Sequence, residues 1–378
     1  MKRIGVLTGG GDAPGLNSTL KWITKAASQS PYPGTKEPIE IIGIKEGWKG
    51  LIECDPTRIV EPYLPMRTDD HLAILSTGEV RPWDRQGGTR LGTSRTNPFD
   101  EKNDCHKLVL ENIRKIGLEC IIVLGGEDTL GVAAKFWKLG VPMIAVPKTI
   151  DKDLWGTEYT LGFETAVEII MEEIDRLRTT AGSHKRTFVV ETMGRHAGHL
   201  ALQGGTAAGA EIILIPEVDF SMERVSELII QRRDRGRHYN IVVAAEGAKE
   251  TGKDPVYRDG QEDQFKHKTL GGIGEQVAHR IHQMTGLDTR SITLSHLQRG
   301  GAPCSYDRRM GRAYGLAAVN LLQHKQFGRM VSFQAGRITS TIIEEAVGRL
   351  KLVDVDKEYD TQYYNGKWQV LYPGTEPV

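Results

Sequence analysis

The run Ile4-Gly5-Val6-Leu7-Thr8-Gly9-Gly10-Gly11-Asp12-Ala13-Pro14-Gly15-Leu16-Asn17 decides the fold. Its first four residues read as a short buried strand. From Leu16 onward, Leu20, Ile23 and Ala27 return at helical spacing. A strand, a glycine-rich turn and a helix form half of a βαβ unit, and the pattern repeats along the chain. Ile41-Ile42 marks a second strand, and Val109, Ile113 and Ile116 mark a helix stopped by Gly117. Cys120-Ile121-Ile122-Val123-Leu124 and Met143-Ile144-Ala145-Val146 are continuous apolar runs, as expected of strands covered on both faces. Phe163, Val167, Ile170, Ile174 and Leu177 recur at steps of four, three, four and three, an amphipathic helix. Thr187 to Val190, Ile212 to Ile215 and Ile241 to Ala244 add further buried strands. The alternation predicts an α/β protein with mainly parallel sheets and right-handed crossovers.

The chain has 378 residues, more than one core usually holds, so two lobes are expected. The first covers 1–161 plus about 297–350, with the helix around Met310, Tyr314, Ala317 and Leu321 returning to it. The second covers 162–296, and the weakly patterned tail after about Leu350 is a candidate addition to it. Gln29 to Pro38 and Lys249 to Lys268 look like inserted, turn-rich loops. With 39% hydrophobic and 26% charged residues the chain is globular rather than disordered. Its 49 basic and 49 acidic residues balance, which argues against a nucleic-acid partner. The sequence has no apolar run long enough to span a membrane, and too short a one before the first glycines for a signal peptide. Cys54, Cys105, Cys120 and Cys304 form no CxxC pair. That argues against a disulfide framework or a zinc site and fits a reducing cytoplasm.

In open parallel sheets, ligands bind beyond the carboxyl ends of strands. Three loops fall there. Thr8 to Asn17 follows a strand and opens a helix, so its glycines let backbone N–H groups approach an anion. It is neither GxGxxG nor a Walker A sequence, and a tight βα turn would also explain it. Gly125-Gly126-Glu127-Asp128-Thr129 sets two carboxylates beside two glycines. This suits a Mg²⁺ held between protein and phosphate, although acids also favour any first helical turn. Pro147-Lys148-Thr149-Ile150-Asp151-Lys152-Asp153 offers an anion ligand and a candidate base, or else a charged surface turn. Two later segments, Glu191-Thr192-Met193-Gly194-Arg195-His196-Ala197-Gly198 and the run from Arg290 to His296-Leu297-Gln298-Arg299-Gly300-Gly301, cluster Arg and His groups among glycines. With Arg186 they suit a sugar phosphate, because Arg grips phosphate through two parallel hydrogen bonds.

Together these segments resemble the phosphofructokinase family. GGGDAPGLN from Gly9, GGEDT from Gly125, PKTIDKD from Pro147, SHKR from Ser183, ETMGRHAGH from Glu191, AAEG from Ala244 and SHLQRGGAP from Ser295 occur in the family's order and approximate spacing. A GGDGT-like loop alone would not be specific, since NAD kinases and diacylglycerol kinases carry one too. The resemblance implies two Rossmann-like lobes in the phosphofructokinase fold. It implies Mg²⁺-dependent phosphoryl transfer to the 1-hydroxyl of fructose 6-phosphate. Asp151 would then be the base, flanked by Thr149, Ile150 and Asp153, with Arg195 neutralising charge on the transferred group. Gly10, Gly11, Gly126 and Arg95 would hold donor phosphates, with Glu127 on Mg²⁺. Met193, Gly194, Glu246, His296, Leu297, Gln298 and Arg299 would hold the sugar phosphate. Family arginines at the positions of Arg186 and Arg290 reach a neighbouring subunit's site, which implies a homodimer or homotetramer.

The resemblance also bears on the donor. Where ATP-using members usually have Gly, this chain has Asp128, a carboxylate in the path of a nucleotide's α-phosphate. Two like charges about 5 Å apart at an effective dielectric near 20 repel by roughly 3 kcal/mol, on the order of a hundredfold in affinity. Lys148 is the complement, a cation for the free end of pyrophosphate, though some ATP-using members carry Lys there as well. Bacterial ATP-type members place an aromatic residue against adenine where this chain has Lys45. The expectation is therefore a pyrophosphate-dependent enzyme, with an ATP-dependent one as the alternative. Two departures stand out: Glu127 replaces a more usual Asp, and Lys152 a more usual Asn. An NAD kinase-like enzyme would not need the Arg290, His296 and Arg299 group. A dinucleotide-dependent oxidoreductase would want GxGxxG and an acid about 20 residues on. A non-catalytic regulatory subunit would be expected to have lost Asp151 or Arg195. Sedoheptulose 7-phosphate stays open as a second acceptor.

Overall fold

The computed structural model describes residues 1–60, 70–262 and 268–367. It divides into two compact units, the first mainly Met1–Thr165 with Arg299–Leu350, the second mainly Ala166–Gln261 with Lys268–Gln298 and the chain from Lys351. In chain order β1 (Lys2–Thr8), α1 (Leu16–Ser28) and β2 (Ile39–Ile44) come first. The short α2 (Trp48–Glu53), β3 (Leu72–Ile74), α3 (His106–Ile116), β4 (Leu118–Gly125), α4 (Glu127–Lys138) and β5 (Met143–Pro147) follow. Next come α5 (Phe163–His184), β6 (Thr187–Thr192), α6 (His199–Ala207), β7 (Ile212–Leu214), α7 (Met222–Asp234) and β8 (Asn240–Ala245). After β9 (Tyr257–Glu262), β10 (Lys268–Leu270), α8 (Ile273–Thr285) and β11 (Thr289–Thr293), the chain forms α9 (Ser305–Gln323), β12 (Arg329–Gln334), β13 (Arg337–Ile342) and α10 (Ile343–Ala346). The described chain ends with α11 (Val355–Glu358), β14 (Tyr359–Asp360) and β15 (Asn365–Gly366).

The first unit is built on a seven-stranded sheet in the order β13-β12-β5-β4-β1-β2-β3. Its middle strands β12, β5, β4, β1 and β2 run parallel, while β3 and β13 are antiparallel edges. The continuous apolar runs predicted from sequence lie in β4 and β5, where Ile121, Ile122, Val123, Ile144 and Ala145 are wholly buried. From β1 the chain moves one way to β2 and later resumes on the other side at β4. The crevice beyond the carboxyl ends of β1 and β4 is therefore a topological switch point, where such sheets take ligands. On one face Trp48, Phe136, Leu130 and Met330 join Leu7, Ile42 and Ile121 in the core.

α1 and α9 pack closely. A Cβ on Gly311 would come within 2.8 Å of the Ser18 Cβ, and one on Gly315 within 2.9 Å of the Thr19 carbonyl. At the start of α9 the wholly buried Asp307 carboxyl accepts from the Tyr159 hydroxyl at 2.5 Å, Gly162 N at 2.7 Å, Thr165 N at 3.0 Å and Thr165 Oγ1 at 2.6 Å. Four donors satisfy a group that would be costly to bury alone. They tie the stretch that follows β5 to α9.

The second unit carries a four-stranded parallel sheet, β11-β6-β8-β7. The tail, unpatterned in the sequence, covers its β7 edge. Tyr359 Oη donates to the Ile213 carbonyl at 2.5 Å, Ile213 N to the Tyr364 carbonyl at 2.7 Å, and Asn365 Nδ2 to the Ala210 carbonyl at 3.0 Å. These bonds go to backbone groups, so no apolar period announces them. The stretch Lys249 to Lys268, expected as a loop, instead contains β9, which pairs with β10. Its residues 263–267, and the tail residues 368–378, lie outside the described chain. Among the described residues no helix is long and apolar enough to cross a membrane.

Asp307→Ala would leave several buried donors without an acceptor. The expected loss is about 3 kcal/mol or more of unfolding free energy, read from urea midpoints. An unchanged midpoint would show that the four bonds contribute nothing.

Candidate active site

In the first unit the loops after β1, β4 and β5 meet because those strands are neighbours in the sheet. Thr129, on the first turn of α4 and nearly buried, explains two of the glycines. A Cβ on Gly9 would come within 2.6 Å of its methyl, and one on Gly125 would overlap it. The segment carrying Arg95 is stitched to the first loop. Gly10 N donates to the Ser94 carbonyl at 3.0 Å, Thr93 Oγ1 to the Gly10 carbonyl at 2.5 Å, and Thr8 Oγ1 to the Gly92 carbonyl at 2.8 Å.

Lys148 is 2% exposed and its ammonium donates to the Gly11 carbonyl. Burial first, and then the Arg299 guanidinium, push its pKa down from 10.5 to about 7. Arg95 acts in the same direction, while Asp12 and Asp151 oppose it. Thr149 Oγ1 receives the Asp151 N–H at 3.1 Å and donates to Asp151 Oδ2 at 3.3 Å. The other carboxylate oxygen, Asp151 Oδ1, is buried and has no hydrogen-bond partner. For Asp153, burial first and then the charge of Asp151 push the carboxyl up from 3.8 to about 7, Glu127 adding to the effect. Glu127 Oε1 accepts from Gly348 N at 3.0 Å. Asp128, one residue on, lines a cavity beside α4. Lys152 lies with its ammonium 4.7 Å from the Phe163 ring centroid. Ile150, expected beside the substrate, has its side chain wholly buried in the core.

In the second unit the carboxyl ends of β6, β8 and β11 bring together Met193, Gly194, Glu246 and Gln298. Glu246 N donates to the Thr192 carbonyl at 2.8 Å and Gly247 N to the Gly194 carbonyl at 3.2 Å. A Cβ on Gly247 would overlap the Arg195 carbonyl, so the two loops touch backbone to backbone. Gln298 is wholly buried, accepting from Met193 N at 3.2 Å and donating to the Ser295 carbonyl at 3.0 Å. Its amide therefore fixes the loop. His296 and Leu297 are exposed beside it, and Leu297 is 62% accessible. The Glu191 carboxylate accepts from Gly272 N and Gly274 N at 2.8 to 3.1 Å and so holds the start of α8.

Arg299, which the resemblance groups with the sugar-phosphate residues, stands at the start of a first-unit segment. Its guanidinium packs on Gly11 and donates to the Asp12 carbonyl at 3.2 Å. Arg186 and Arg290 do not join Met193 and Glu246. They stand at the amino ends of β6 and β11, where both pair with Asp288, at 2.5 and 3.2 Å. With a rise of about 3.3 Å per residue, that is the far end of these strands. Sequence reasoning missed Thr129 and the Glu127–Gly348 contact. The first was available from the paired glycines, the second from no local pattern. Elsewhere in this unit Glu46, Glu53 and His71 bring ligand atoms within 4.8 Å of one another. The Lys49 ammonium already lies 2.7 Å from Glu46 and 3.7 Å from Glu53, so the cation's place there is taken.

A model of the phosphofructokinase family matches residues 3–322. A protein of Dictyoglomus thermophilum named pyrophosphate–fructose 6-phosphate 1-phosphotransferase is 47% identical over 355 residues, 93% of this chain and 95% of that protein. One of Bacteroides thetaiotaomicron, named ATP-dependent 6-phosphofructokinase 3, is 39% identical over 94% of this chain and 96% of its own. Among solved structures, phosphofructokinase from Saccharomyces cerevisiae superposes with a TM-score of 0.75 at 27% identity. The match covers 92% of this chain and 45% of the yeast chain.

The lowered pKa of Lys148 has a signature in stability. From about pH 7 up to its unfolded value near 10.5, the unfolded chain holds a proton there that the folded chain lacks. Stability contributed by this group therefore rises with pH across that window and is level below it. Asp153 acts in the window below pH 7. Urea midpoints from pH 7 to 8.5 should climb more steeply for the native chain than for Lys148→Met. Equal slopes would mean that Lys148 keeps an ordinary proton affinity.

Proposed function

The chain belongs to the phosphofructokinase family, and on that premise we propose that it catalyses reversible, Mg²⁺-dependent phosphoryl transfer from pyrophosphate to fructose 6-phosphate. The products are fructose 1,6-bisphosphate and phosphate. The first unit acts as the phosphoryl-donor lobe and the second as the sugar-phosphate lobe. What supports the donor reading is a carboxylate, Asp128, on the first turn after β4 together with a buried ammonium, Lys148, on the loop after the neighbouring β5. An ammonium in that position answers an inorganic anion. A carboxylate at residue 128 opposes a donor that continues into a nucleoside.

Phosphoryl transfer asks the protein for positioning and for charge stabilisation, with one group to take the hydroxyl proton. Asp151 is suited to that role: Thr149 orients one oxygen, and the other is buried without a partner. The acceptor's hydroxyl proton would pass to that second oxygen. Gly10, Gly11 and Gly126 offer backbone amides to the donor, Lys148 its ammonium and Arg95 its guanidinium. Arg299 joins this group. Glu127 and Asp153, with Asp151, offer an all-oxygen acidic set; burial first, and then the charges of Asp151 and Glu127, raise the Asp153 pKa. That donor set fits Mg²⁺, which when bound would neutralise charge on the donor oxygens. In the second unit Met193, Gly194, Glu246 and His296 bind the sugar phosphate, and Arg195 neutralises charge on the transferred group. Gln298 acts by holding Met193.

Arg186 and Arg290 serve a second copy of the chain, which makes the enzyme a homo-oligomer. Their position at the amino ends of β6 and β11 supports that reading, because they are remote from Met193 and Glu246 of their own unit. The ATP-dependent reading is the alternative, favoured by the name of the Bacteroides thetaiotaomicron relative.

A coupled assay with fructose 6-phosphate and either donor separates the two readings. Turnover is expected with pyrophosphate and not with ATP. Robust ATP turnover without pyrophosphate turnover would overturn the donor and leave the family untouched. Asp151→Asn should lower kcat by about a thousandfold, with the KM for fructose 6-phosphate within about threefold of native. An unchanged kcat would remove Asp151 from the role of base.

A further inference from the structure

The first turn of α4 borders a cavity of about 570 Å³ whose lining includes Glu127, Asp128, Lys135, Lys138, Glu344 and Gly348. That is the size of a small-molecule site. One wall comes from the last segment of the first unit. There α10 packs on α4, and Gly348 N donates to Glu127 Oε1 at 3.0 Å. On this wall Glu344 Oε2 is buried with no hydrogen-bond partner. Of the two lysines opposite, Lys135 has its ammonium 5.2 Å from the Phe99 ring centroid. Three carboxylates and two lysines thus share the lining, Glu127, Asp128, Lys135 and Lys138 from α4 and Glu344 from α10. None of the residues assigned to pyrophosphate, apart from the Glu127–Asp128 turn itself, lies on this lining.

We propose that Glu344 is a second determinant of donor specificity, acting with Asp128 from the opposite wall of this cavity. The inference rests on pyrophosphate being the donor. A nucleoside triphosphate whose terminal phosphates occupy the Gly10–Gly11 and Gly126 loops has to send its α-phosphate and nucleoside past Asp128. The cavity bordering Asp128 is the space beside it, and there the ligand comes alongside Glu344, whose Oε2 is buried without a hydrogen-bond partner. A like charge brought next to such a group is poorly screened. Pyrophosphate ends before the cavity and does not meet Glu344. Replacing Asp128 alone would therefore leave part of the barrier standing.

The test compares kcat/KM for ATP and for pyrophosphate in the native chain, Asp128→Gly, Glu344→Gln and the double variant. Gln keeps the shape and hydrogen bonding of Glu while removing its charge. The native chain is assayed first: ATP turnover without pyrophosphate turnover there would sink the donor reading itself. With that reading intact, the double variant is expected to use ATP at least tenfold better than Asp128→Gly. Glu344→Gln alone should keep its pyrophosphate activity within about twofold. A double variant equal to Asp128→Gly, or poorer, would overturn the role of Glu344 and leave the donor reading in place. ADP binding to Glu344→Gln by calorimetry gives a second readout should the double variant misfold. At least tenfold tighter binding than to the native chain is expected, and equal or weaker binding refutes the proposal.

Discussion

A single ammonium buried among three strand ends constrains the chemistry of the first unit. Lys148 has its side chain out of water and its charge facing the Gly11 carbonyl, with Arg299 and Arg95 nearby. Burying a cation beside other cations is unfavourable unless an anion completes the arrangement. Asp12 and Asp151 offset part of this cost from within the chain. The glycines of the first two loops follow from the same need. Thr129 fills the space between Gly9 and Gly125, and together they bring backbone amides close without side chains in the way. The acids of the second and third loops then stand against this positive group. The site is polarised across the width of two strands.

Much of this was legible in the sequence because it is local. Strands such as Cys120 to Leu124 announce themselves by continuous burial, and loops at their ends by glycine and charge. The adjacency of the three loops comes from the strand order β5-β4-β1, one of the few that right-handed crossovers allow. What stayed hidden depends on contacts between distant segments. Arg299 carries no mark that separates it from His296 three residues earlier, yet its guanidinium packs on Gly11. Arg186 and Arg290 read as members of one cluster with Arg195. Position along a strand decides otherwise, since they precede β6 and open β11 while Arg195 follows β6. The Glu127–Gly348 bond joins residues 221 positions apart through a backbone N–H, which leaves no trace in side-chain patterning. Gln298 reads as a polar ligand, and its burial and its bonds to Met193 N and the Ser295 carbonyl leave no trace in the local sequence.

The second unit shows how backbone-directed polar contacts do structural work without apolar periodicity. Glu191, on β6, holds the first amides of α8, so that helix is fixed at its amino end by a carboxylate. Tyr359 and Asn365 hold carbonyls along the β7 edge, where an uncovered strand would be an open template for pairing with another chain. In both places the sequence offers ordinary polar residues, and only the partner gives them a role.

The discontinuity of the first unit has a consequence for how the protein is made. β5 leaves the ribosome long before β12, the strand that pairs beside it, and α1 long before α9. Until Arg299–Leu350 is synthesised, the nascent chain carries an open sheet edge and an uncovered helix face, and it lacks Asp307, the acceptor for Tyr159, Gly162 and Thr165. Such late-closing topologies fold slowly and are exposed to misassociation during translation. Completion of the loop after β1, on which Arg299 packs, thus waits on this late segment.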